Sequence, residues 1–127
     1  MVRQGRGYAR RASYTQRKAK GLMPELRANI SVTDGSEDDR RGVIKAIKAH
    51  ALMGRASATT VDFPGLSDDT PDRLVVRVTT EEGPVTGAHV DRIELACRRA
   101  NESATLYGLA TRATLDAVDP DPRRSAN

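Results

Sequence analysis

Residues 26–33, LRANISVT, alternate without a break: Leu26, Ala28, Ile30 and Val32 fall on one side, Arg27, Asn29, Ser31 and Thr33 on the other. An extended chain turns successive side chains to opposite faces, so this period of two predicts a strand with one face buried and one in water. Such a strand requires a sheet whose apolar face is covered by other parts of the chain. Asp34-Gly35-Ser36 interrupts the pattern. Ser36 is suited to cap a helix, and Glu37, Asp38 and Asp39 put negative charge where the helix dipole is positive, which predicts a helix over 37–52. Val43, Ile44, Ile47 and Ala51 make its apolar stripe, and Gly54 is placed to stop it.

The remaining chain continues in the same two periods. SATTVDF (57–63) reads as a second strand closed by Pro64-Gly65, LSDDTPD as a polar connection, and RLVVRVTT (73–80) as a third strand with Leu74, Val76 and Val78 on one face. After the turn EEGP, a second helix is predicted over 86–101 with Val90, Ile93, Cys97 and Ala100 in its stripe, and Asn101-Glu102-Ser103 reads as a turn. Residues 104–118 admit two readings. As a strand they set Tyr107, Leu109 and Leu115 against Arg112 and Thr114; as a helix they align Leu106, Leu109, Ala110, Ala113 and Ala117. The strand is preferred, because it completes the β-α-β-β-α-β order of a ferredoxin-like α+β domain. The helix would leave a three-stranded sheet with C-terminal helices. The expected organisation is therefore a flexible basic arm over 1–24, one small domain over 25–118, and an unstructured tail over 119–127, where Pro120 and Pro122 interrupt the chain.

Charge divides the 127 residues unevenly. The chain holds 21 basic and 17 acidic residues, yet the first 27 residues contain Arg3, Arg6, Arg10, Arg11, Arg17, Lys18, Lys20 and Arg27 against Glu25 alone. Beyond Arg27 there remain 13 basic and 16 acidic residues, so a cationic arm precedes a slightly acidic body. Lys and Arg clustered in this way displace the counterions condensed on a polyphosphate, which points to DNA or RNA, or otherwise to an acidic protein partner. Tyr8 and Tyr14, interleaved with these cations, are placed to stack on bases or merely space the arm. Arg10-Arg11-Ala12-Ser13 has the look of a basic phosphorylation site, a pattern that any Arg-rich segment produces by chance.

Within the domain, the predicted sheet turns Arg27, Asn29, Ser31, Arg77, Thr79 and Arg112 to its uncovered face. That face suits a phosphate or RNA platform, although a solvated sheet face is polar in any case. RLVVRVTT lacks the aromatic residues with which RNA-recognition motifs stack bases, so recognition of backbone is expected instead. Arg41, Lys45 and Lys48, with Arg55 nearby, form a second cationic face on the first helix, or a solvated one in which Arg41 pairs with Glu37. The flanking strands argue against a helix-turn-helix.

Catalytic readings find little support. His50 and His89 lie on different predicted helices, and Cys97 is the only cysteine, in an apolar stripe that should raise its pKa and make it inert. The acids at 34–39 are explained by helix capping, and Asp68, Asp69 and Asp72 by a solvated turn. No phosphate loop or nucleophile elbow is present. With no cofactor or metal implied, no apolar run long enough for a membrane span and charge where a signal peptide needs apolar residues, the expectation is a non-enzymatic, cytoplasmic nucleic-acid-binding protein. Its contacts would come from the arm, Arg27 and Arg77. The alternative is an assembly module, with the arm docked on an acidic protein and the domain a homodimer through a sheet edge such as SATTVDF or through the second helix.

Overall fold

The computed structural model of the protein describes residues 24–65 and 71–123. It contains β1 (Glu25–Thr33), α1 (Glu37–Leu52), β2 (Thr59–Asp62), β3 (Arg73–Thr80), α2 (Gly87–Leu106) and β4 (Arg112–Asp119). The strands form one antiparallel sheet in the order β2-β3-β1-β4, and the chain is a ferredoxin-like α+β domain. β1 lies at the centre, paired on both sides, which is why its alternation is the cleanest in the chain: Leu26, Ala28, Ile30 and Val32 are all buried. The two helices cover that face. Val43, Ile47 and Ala51 of α1 and Val90, Ile93, Ala96, Cys97 and Ala100 of α2 complete an aliphatic core with Leu74, Val76 and Val78 of β3. Among the described residues no helix is long and apolar enough to cross a membrane.

α1 has the predicted bounds, and the Ser36 hydroxyl accepts the Asp39 N–H at 3.1 Å. Its other end is closed by two guanidinium groups, with Arg55 Nη1 donating to the Leu52 carbonyl at 2.9 Å and Arg92 Nη1 to the Met53 carbonyl at 2.7 Å. Arg55 therefore serves the helix terminus, where a cation meets the negative end of the dipole. The turn before α1 holds two consecutive left-handed residues, Asp34 (φ 65°) and Gly35 (φ 76°).

Two expectations need correction. α2 continues through Asn101-Glu102-Ser103, read from sequence as a turn, and ends at Leu106. Asn101 does not compete for its own backbone, because its side chain grips Ala113 instead, and Ala104 extends the buried stripe beyond Ala100. β4 accordingly starts only at Arg112, so Tyr107 and Leu109 lie outside it. The ordered chain also runs past 118. Asp119 is the last residue of β4, and Arg123 binds Glu94 at 3.0 Å and Asp91 at 3.4 Å on α2, so the first part of the expected tail packs on the domain.

Candidate nucleic-acid interface

The uncovered sheet face carries the residues that the alternation placed there. Arg27 and Asn29 of β1 and Arg112 of β4 are exposed, and Ser31, Arg77 and Thr79 are half-buried. What periodicity could not show is how these side chains line up across strands. Asp62 pairs in register with Arg77, Arg77 with Arg27, and Arg27 with Asp119, so one row spans all four strands with its two cations in the middle and an acid at each end. Two like charges directly opposite each other destabilise a sheet, and the flanking acids offset that repulsion. Arg77 grips Asp62 through two bonds, Nε to Oδ1 at 2.9 Å and Nη2 to Oδ2 at 2.7 Å. That hydrogen bonding, followed by the charge of Asp62, raises the Arg77 pKa. Arg27 Nε lies 3.3 Å from Glu25 Oε2.

The rest of the face is balanced in the same way. The register of β1 on β4 shifts between Asn29 and Ile30, stepping over Asp116, whose carboxylate accepts a hydrogen bond from the Ser31 hydroxyl. Arg27, Arg77 and Arg112 thus share their surface with Glu25, Asp62, Asp116 and Asp119. A phosphate approaching it meets these four carboxylates beside the three guanidinium groups. The seven arm cations Arg3, Arg6, Arg10, Arg11, Arg17, Lys18 and Lys20, together with Tyr8, Tyr14 and Ser13, lie outside the described residues, as do Asp68 and Asp69. The arm joins the domain at Glu25, beside Thr79 near the end of β3, and the Pro24 carbonyl accepts the Thr80 N–H at 2.8 Å.

On α1, Arg41 lies 3.5 Å from Glu37 and 3.9 Å from Asp38. Lys48 stands 5.5 Å from the centre of the Phe63 ring. Two of the groups considered for chemistry, His89 and Cys97, have defined surroundings. His89 Nδ1 accepts the Thr86 N–H at 2.9 Å at the start of α2, an arrangement that places the ring N–H on Nε2. Cys97 is buried, and burial first, then the charge of Glu94, pushes its pKa up to about 11. Among the described residues no group of three or more His, Cys, Asp or Glu is arranged to hold a metal ion. Two functional candidates escaped the sequence reading, Phe63 and Arg73, which only the fold brings beside Lys45 and Lys48.

No family model matches the chain, and no curated protein matches it significantly. Among solved structures it is similar to a de novo designed protein, LFR1 1, with ferredoxin fold, solved by solution NMR, at 15% identity and a TM-score of 0.52, covering 75% of this chain and 87% of that one. At that identity the likeness concerns the fold alone.

Proposed function

We propose that the protein is a non-enzymatic, cytoplasmic nucleic-acid-binding protein whose arm contacts the phosphates of DNA or RNA through Arg3, Arg6, Arg10, Arg11, Arg17, Lys18 and Lys20, with little sequence preference. The observation that carries this reading is the charge split, with eight cations and one acid in residues 1–27 of a chain whose remainder is slightly acidic. Arg27 and Arg77 contribute less than the arm, because each is already engaged by a carboxylate and reaches a phosphate only with its spare N–H groups. The test is the full chain with the seven arm cations replaced by Gln, measured against labelled single-stranded DNA, double-stranded DNA and RNA at low salt. Affinity should fall by about 100-fold or more. A variant that binds as tightly as the natural chain contradicts the proposal.

A second reading, assembly on protein partners, is favoured by one observation. Leu106 and Tyr107, consecutive at the end of α2, are 83% and 77% exposed, an apolar pair with little reason to face water. Under that reading the arm docks on an acidic protein and the domain self-associates. Mass that rises with concentration, together with no affinity for any of the three nucleic acids, selects it.

A further inference from the structure

β2 is shorter than the strand it flanks. It pairs with Arg77–Thr80 of β3 and ends at Asp62, leaving the first half of β3, from Arg73, without a strand on that side. The space is a groove of about 420 Å³ between α1, β3 and the chain leaving β2. That volume lies within the range of about 300 to 1,000 Å³ typical of small-ligand sites. Lys45, Lys48 and Arg41 of α1 and Arg73, at the start of β3, line it, while Ile44 and Phe63 supply apolar wall. No carboxylate among the described residues lines it. The sheet face offers a contrast: there Asp62 grips Arg77, and Arg27 lies beside Glu25 and opposite Asp119, whereas here cations line a concave surface with no carboxylate among the described residues. Like charges at i, i+3 and i, i+4 along α1 disfavour the helix, and among the described residues Glu37 and Asp38 relieve Arg41. Lys48 is additionally held over the Phe63 ring, which positions its ammonium without neutralising it.

We infer that this groove binds a phosphate ester, its oxyanion held by Lys45, Lys48 and Arg73 and its apolar part laid against Phe63 and Ile44. The site stands independently of the arm reading, since the arm joins the sheet beside Thr79 and the groove opens at Arg73, the opposite end of β3. The ester can be a free mononucleotide or a phosphate of a polynucleotide strand, and the test separates the two. The protein is the full chain with the seven arm cations changed to Gln, which silences the arm, and the readout is its amide NMR spectrum titrated with adenosine monophosphate and, separately, with a single-stranded oligonucleotide lacking a terminal phosphate. Saturable shifts confined to α1 and the flanks of Phe63 and Arg73 are expected, lost at least ten-fold in affinity in the triple variant Lys45→Gln, Lys48→Gln, Arg73→Gln. Shifts with the mononucleotide assign a free ester; shifts at the same amides with the oligonucleotide assign the strand. The single variant Lys45→Glu, at an exposed position, repeats the test where the triple variant loses structure. Absence of saturation with either probe, or affinity unchanged in both variants, overturns the inference.

Discussion

Gly35 sits where any side chain would strain the backbone and force Thr111 to shift. Its φ of 76° is left-handed, and a Cβ added there would lie 2.1 Å from the Thr111 hydroxyl, which itself donates to the Asp34 carbonyl at 3.0 Å. This contact joins the turn after β1 to the entry of β4. Gly35→Ala should therefore destabilise the domain by about 1–3 kcal/mol, read as a lower urea midpoint at unchanged slope. Asp34-Gly35 was legible in the sequence as a chain break, but its second duty was not, because Thr111 is distant in sequence and meets it only in the folded state. Cys97 was fully legible: its place in an apolar stripe implied burial. The folded thiol has a pKa of about 11 against 9.0 for the ordinary group, so folding favours the protonated form. The sign follows directly. Above pH 9 the unfolded chain gives up that proton and the folded one holds it, so the stability difference between the natural chain and Cys97→Ala should be constant below pH 9 and shrink as pH rises towards 11. A difference that grows over that interval contradicts the assignment.

Among the elements, α2 and β4 show where local pattern stops being informative. Asn, Glu and Ser in succession favour a turn by propensity, yet the helix passes through them because Asn101 has a better partner. Its Nδ2 donates to the Ala113 carbonyl at 2.9 Å and its Oδ1 accepts the Ala113 N–H at 2.8 Å, the two bonds a neighbouring strand would make. The side chain thus occupies part of the free edge of β4 and opposes pairing with another chain. Asn101→Ala leaves both backbone groups of buried Ala113 unmatched, and unfolding titration should show a loss of about 1–3 kcal/mol. The opened edge should also make mass by sedimentation more dependent on concentration. β1, α1 and β3, by contrast, were readable almost to the residue, since each buries a face whose period matches its own geometry. β4 was ambiguous because its alternation is broken at Asp116, and its small Ala residues suit either state.

At the scale of the whole molecule, charge is sorted by place. The sheet face balances its arginines in the row Asp62, Arg77, Arg27, Asp119, a pairing set by strand order and invisible to periodicity. The surplus of cations lies in the arm, where composition alone makes it evident. The groove at Lys45, Lys48 and Arg73 was half legible: the helical spacing revealed the lysines, and only the truncated β2 brings Arg73 and Phe63 to them. The central claim is that binding to nucleic acid is an electrostatic property of the arm, and its most direct test is the slope of log affinity against log salt for the full chain on double-stranded DNA. Seven arm cations on phosphates predict a slope as steep as about −6, collapsing towards zero when they are changed to Gln. A shallow slope in the natural chain, or the same steep slope in the arm variant, contradicts the account.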